Sequence, residues 1–299
     1  DLAYSFRLED RTVGEGVRRI ALGQIEAARD ELHSHTLGPH RTVHQVRKRC
    51  KKLRALLRLV RPAFDAYGRE NAAFRDMARP LSAVRDAGAL VEAFDRLAVR
   101  FAGQVDGDLM ASLRERLAAR QSAMDVDDIA ARLRAFEAAL NKAEKRVTGW
   151  KLEAKGYEAV GKGMARTYAR AQRDLKAARE DPQGEAMHEW RKRVKYHRLH
   201  ARLLKAIWPA MMHAHIDVAN GLSEQLGDHH DLFVFLEVLE AGDLIEDGET
   251  LGMFRGLILA RQQRLAGEAF ETASFLFSEA PEALEARWGG YWKAWRAAA

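Results

Sequence analysis

The sequence predicts an all-α fold built as a tandem duplication. Three observations carry this: scarce helix breakers, 3–4 spacing of apolar residues along the chain, and one strongly basic segment that occurs twice. Only six prolines occur in 299 residues, against abundant Ala, Leu, Arg and Glu. No stretch reads as a convincing strand. Even "LFVFLEVL", residues 232–239, sits inside a longer helical pattern and is expected to form a buried helix face. Frameworks that need a strand feeding a turn, such as the phosphate loop and the nucleophile elbow, are thereby excluded.

Taken in order, the first landmark is "VGEGVRR" at 13–19, a glycine-containing helical stretch. Next comes "VHQVRKRCKKLRALLRL", residues 43–59, with seven Lys or Arg in seventeen and no carboxylate. At about 100° per residue, Val46, Cys50, Leu53, Leu57 and Val60 fall on one side as a core stripe. His44, Arg47, Lys48, Lys51 and Arg58 fall opposite, flanked by Arg49, Lys52 and Arg54. Like charges at i,i+4 cost a few tenths of a kcal/mol each, so a one-sign face calls for something anionic to answer it. "VRDAGAL" at 84–90 follows, and then "TGWKLEAKG" at 148–156, where two glycines break the helical pattern and mark a boundary.

The second half repeats these landmarks in the same order. "VGKGMAR" at 160–166 answers the first, and "MHEWRKRVKYHRLHARLL" at 187–204 answers the basic helix with an offset of 144. His44 then pairs with His188, Arg47 with Arg191, Lys48 with Lys192, Lys51 with Lys195, Arg54 with Arg198 and Arg58 with Arg202. "HHDLFVF" at 229–235 roughly matches 84–90. The chain therefore divides into repeats 1–148 and 149–299.

Residues 41–61 hold nine Lys or Arg and no acid, and residues 188–205 hold seven with one acid. Those two helices carry +15, while the whole chain carries only +6, so the remainder sums to −9. Charge segregated in this way concentrates and steers a polyanion, with a strong salt dependence. The single cysteine, Cys50, excludes a disulfide framework and a cysteine-rich metal site, and it suits a reducing, cytoplasmic setting. No apolar run approaches the length of a membrane span. A start at "DLAYSFRLED", without methionine, reads as a fragment or a processed form.

The paired H-x-x-R-K-x-x-K stripes, each preceded by a glycine-containing helix and followed by an aspartate-bearing, leucine-rich helix, resemble the two halves of a CHAD domain. The resemblance covers nearly the whole chain. It implies two tandem antiparallel helical bundles of the four-helix type, related by pseudo-twofold symmetry, with basic faces lining a groove or pore. It also implies non-catalytic binding of inorganic polyphosphate, association with polyphosphate granules and their proteins, no cofactor, and often an upstream CYTH domain. Carried over position by position, the site is His44, Arg47, Lys48, Lys51, Arg54 and Arg58 with His188, Arg191, Lys192, Lys195, Arg198 and Arg202. Arg19, Arg166 and Arg170 on the preceding helices stand in second rank.

The chemistry of these residues suits such a ligand. From His44 to Arg58 a helix rises roughly 21 Å at about 1.5 Å per residue, with cations at every turn. Lysine supplies mobile point charges, and arginine supplies forked donors to phosphate oxygens. His44 and His188 would become cationic in mild acid, which predicts tighter binding at pH 6 than at pH 8.

Other signals lead elsewhere. "GDHHD", residues 227–231, offers Asp228, His229, His230 and Asp231 as metal ligands, yet neighbours on a helix diverge by about 100°. His230 and Asp231 align with Arg85 and Asp86, where the aspartate is expected to orient a basic neighbour or anchor a helix junction. The pairs at 33–35 and 213–215 diverge as well. His197 is expected to be a hydrogen-bonded core residue, Cys50 inert packing, and the tryptophans of "RWGGYWKAWRAAA" (287–299) the packing face of a last helix. Two further functional classes stay open: a nucleic-acid-binding protein, which lacks aromatics interleaved with the stripe, and a metal-dependent phosphohydrolase using "GDHHD".

Overall fold

Helix-forming composition and short, polar connections produce a chain of helices. The computed structural model describes residues 4–101, 103–122, 126–242, 244, 245 and 247–298; the side chains at 83, 85–89, 126 and 127 fall outside that description. Among the described residues there are eleven α-helices and no strand: α1 (Val13–Leu32), α2 (Pro39–Leu59), α3 (Tyr67–Ala78), α4 (Ser82–Arg100), α5 (Gly107–Ser122), α6 (Val126–Val147), α7 (Glu158–Glu180), α8 (Glu185–Leu203), α9 (Pro209–Glu240), α10 (Gly248–Leu276) and α11 (Pro281–Ala297). Local signals set several ends. Thr12 Oγ1 accepts from the Glu15 N–H at 3.1 Å to start α1. Pro39 follows Gly38 at the start of α2, and Asp247 caps α10 through the amides of Glu249 and Thr250.

Each repeat supplies a ring of four neighbouring helices. In the first, α1 packs on α2, α2 on α3, α3 on α6 and α6 on α1; in the second, α7 packs on α8, α8 on α9, α9 on α10 and α10 on α7. Helix α11 lies on α7, while α4 and α5 pair with each other and α4 leans on α9. The predicted boundary falls in the linker between α6 and α7.

The core does not stop at that boundary. One continuous apolar cluster runs from Tyr4 and Ile20 through Leu53 and Leu57 to Trp190, Leu222 and Trp288. A smaller cluster, built on Phe94, Leu97, Phe235 and Phe254, holds α4 and α5 to the far parts of α9 and α10. The first described residues stitch the halves together. Tyr4 Oη donates to the Lys52 carbonyl at 2.8 Å, the Phe6 amide donates to the Leu203 carbonyl at 2.9 Å, and the Phe6 ring meets Trp292 edge-on at 6.0 Å.

Contact between the halves is closest where α7 crosses the end of α2. A Cβ at Gly163 would lie 1.8 Å from the Leu59 carbonyl oxygen, so backbone meets backbone there. Only glycine permits that approach. Gly163→Ala is therefore expected to destabilise the protein by about 3 kcal/mol or more, since overpacking against backbone finds no easy relaxation. Gly23→Ala, where a Cβ meets nothing within 4 Å, should instead gain about 0.5–1 kcal/mol from helix propensity. Urea denaturation of the two variants measures both effects.

Candidate functional site

The two basic helices lie against each other. Helix α2 contacts α8, and at their meeting point the buried His200 donates from Nε2 to the Ala55 carbonyl at 2.9 Å. Burial drives the His200 pKa down to about 3, so the imidazole is neutral and its N–H serves as a fixed structural donor.

Around that point, positions equivalent in the two repeats face each other. Lys51 lies close enough to Lys195 to help depress its pKa, and these are the same position in the two copies. Lys52 is near Arg202, and in the exchanged arrangement the Arg58 guanidinium sits 4.3 Å from the centre of the Tyr196 ring. Tyr196 occupies in the second copy the position that Lys52 holds in the first. The ring thus accepts, as a cation–π partner, the arginine that a lysine would repel.

Burial corrects the helical wheel at Lys52. That residue is 4% exposed, its ammonium 4.9 Å from the centre of the Tyr4 ring, because α2 is packed on several sides rather than one. Burial, followed by Arg49 and Arg202, lowers its pKa to about 7. Lys195 is pushed further, to about 6, by burial and then by Arg191, Lys51 and Arg198.

Carboxylates answer the outer cations and leave the inner ones. Arg49 pairs with Glu31 at 2.7 Å, Arg193 with Asp174 at 2.8 Å, and Lys192 with Glu189. Arg47 donates to the Ala78 carbonyl at 2.7 Å and to Ser82 Oγ at 2.8 Å, tying α2 to the start of α4. Arg54 donates to Asn71, Arg58 to Tyr67 Oη, and Arg198 to Asn220. Lys48 is exposed, and His44 and Arg191 are half-buried. Among the described residues, no carboxylate lies within ion-pair distance of Arg58, Arg166, Arg170, Lys195, Arg198 or Arg202.

Arg58, Arg166 and Arg170 line one cleft, joined by Arg61, Arg193 and Tyr196. The buried Arg170 Nε has no hydrogen-bond partner among the described residues, and burial with Arg193 and Arg173 nearby lowers the pKa of its guanidinium. Arg61 and Tyr196 were not among the predicted site residues. Each lies one step outside the repeated stripe pattern, and only the crossing of α2, α7 and α8 brings them in.

Two further expectations change. Arg19 does not join the cleft: both oxygens of Asp10 accept from its guanidinium at 2.7 Å, and the Ser5 carbonyl accepts at 2.9 Å, so it anchors the chain start. His188 does not titrate near pH 6. Its Nδ1 lies 3.1 Å from His230 Nδ1, and burial with Lys192 and Arg191 nearby lowers its pKa to about 4. The lowered pKa values fall on Lys195 and Lys52 instead.

The "GDHHD" side chains part company as the helix geometry requires. His229 bonds the Pro182 carbonyl at 2.9 Å, His230 meets His188, and Asp228 and Asp231 both pair with Arg96. The aspartate of that motif does orient a basic neighbour, though on another helix; its counterpart at Arg85 and Asp86 lies outside the described side chains. His197 is fully buried and bonded to His215 at 2.8 Å. Burial raises the Cys50 thiol to about 12, and Trp288 packs in the core beside His197 and His215.

A family model for the CHAD domain matches residues 20–240. This chain belongs to the CHAD domain family. Among solved structures it is similar to the crystal structure of the CHAD domain from the plant Ricinus communis, at 17% identity and a TM-score of 0.64, over 91% of this chain and 96% of that one. No curated protein matches the sequence. At that identity the likeness is one of fold, and it assigns the all-helical architecture to this CHAD domain.

Lys52 and Lys195 give the CHAD domain a pH-dependent stability. Their folded pKa values, about 6 and 7, lie below the usual lysine value near 10.4. Between these limits the unfolded chain binds more protons, so this contribution to stability rises with pH from about 7 to 10. Denaturant midpoints measured over that range should climb less steeply for Lys52→Met/Lys195→Met than for the wild type.

Proposed function

We propose that this CHAD domain binds inorganic polyphosphate, without catalysis, along the apposed basic helices α2 and α8 and the arginine cleft that joins them. The observation that carries the reading is the set of inner cations left without a carboxylate while neighbouring arginines are paired. Repeated cations at helical spacing suit a linear polyanion, and their arginine forks suit phosphate oxygens. Nothing in this arrangement has to read a base, and the tyrosine at its centre is occupied by Arg58 rather than open for stacking. Such binding in the cytoplasm would attach the protein to polyphosphate granules and bring it beside granule proteins.

Titration with long-chain polyphosphate at two salt concentrations is expected to show tight binding that weakens steeply with salt. Lys48→Gln/Lys51→Gln/Lys195→Gln should bind at least tenfold more weakly with a shallower salt slope, while DNA at equal phosphate concentration competes poorly. Equal binding by a folded variant and the wild type would overturn the assignment.

The polyanion should raise the pKa of Lys195, so binding takes up a proton and affinity falls from pH 6 to pH 8. Lys195→Gln alone should flatten that profile, whereas His188→Gln should leave it unchanged. The same titration repeated at three pH values separates the two.

A further inference from the structure

A second cationic cavity lies apart from the basic helices, at the start of α1 and the linker before α7. Its volume is about 490 Å³, within the range that takes a small molecule. None of the stripe residues lines it. Six cations do: Arg7, Arg11, Arg18, Lys151, Lys155 and Arg296.

Arg18 and Arg296 are held in place by backbone carbonyls. Arg18 donates from Nη1 to the Trp150 carbonyl at 2.8 Å, and Arg296 donates from Nη1 to the carbonyls of Leu8 and Asp10 at 3.0 and 3.1 Å. Carbonyls fix a guanidinium but leave its full charge. Asp10 is the single carboxylate of the lining, and both its oxygens are taken by Arg19. Arg11, Lys151 and Lys155 stand exposed at the mouth.

Apart from Thr12, Gly14 and Gly156, the rest of the wall is apolar: Leu152, Ala154, Val13, Phe6 and Trp292 line it. An extended inorganic phosphate chain gains nothing from such a wall, because it has no apolar surface to bury. A molecule with phosphates at one end and a flat organic group at the other gains from both.

We propose that this cavity binds a small organic phosphate of the nucleotide class, its phosphates on Arg11, Lys151 and Lys155 and its ring system against Leu152, Ala154 and Trp292. The site is independent of the polyphosphate reading, since no residue is shared between them. A CHAD domain with both sites could hold a polyphosphate chain and a nucleotide at once.

The test is calorimetric titration of the whole chain with ATP and, separately, with inorganic tripolyphosphate. Three proteins are compared: wild type, Arg11→Ala/Lys151→Ala/Lys155→Ala, and Lys48→Gln/Lys51→Gln/Lys195→Gln. All three cavity substitutions are at exposed positions, and circular dichroism checks that the variants fold. ATP is expected to bind the wild type and the stripe variant equally and the cavity variant at least tenfold more weakly, with tripolyphosphate binding at the cavity weaker than ATP. Absence of ATP binding, loss of it in the stripe variant alone, or tripolyphosphate binding at the cavity as strongly as ATP would overturn the proposal. Long-chain polyphosphate binding by the cavity variant reports on the basic helices separately.

Discussion

The close crossing of α2 with α7 and α8 governs the rest of this structure. Helix α2 is pressed against α7 at Gly163, which touches the Leu59 backbone, and against α8, the other strongly basic helix, at the His200–Ala55 hydrogen bond. Apolar burial on either side supplies the force, and Coulomb repulsion between the stripes opposes it. The opposition is relieved by specific means. Lysines at the centre lean toward their neutral form, one arginine lies on a tyrosine ring, and outer arginines are bound to Glu31 and Asp174.

That arrangement is the physical support for the binding role proposed for the stripes. Fold stability alone would be better served by glutamates beside Arg58, Arg170 and Arg202. The chain has acids to spare, for it places Glu70 fully buried between Arg69 and Arg146, and sets Asp228 and Asp231 on Arg96. Leaving Arg58, Arg170 and Arg202 without a carboxylate costs stability, and a ligand of the proposed kind, bringing its own negative charge, would offset that cost.

Much of this was legible in the sequence, for identifiable reasons. The helical class and the two basic helices follow from period and charge, which survive any packing. The core roles of His197 and Cys50 follow from the apolar side of a wheel. Lys52, Arg19 and His188 were misjudged because a wheel assigns one buried face, whereas α2 is enclosed from several directions, Arg19 meets an aspartate nine residues upstream, and His188 is desolvated by a helix forty residues on. Arg61 and Tyr196 needed the crossing of three helices before they could be placed in the cleft.

The exchanged pairs at the helix crossing, Lys51 with Lys195 and Lys52 with Arg202 against Tyr196 with Arg58, have a geometric corollary. A site whose positions recur in swapped order presents nearly the same succession of charges to a chain entering from either end. Inorganic polyphosphate has no head or tail, so both directions are the same ligand and neither is wasted. A nucleic-acid strand has a chemical direction, and a site of this kind would have no means of reading it.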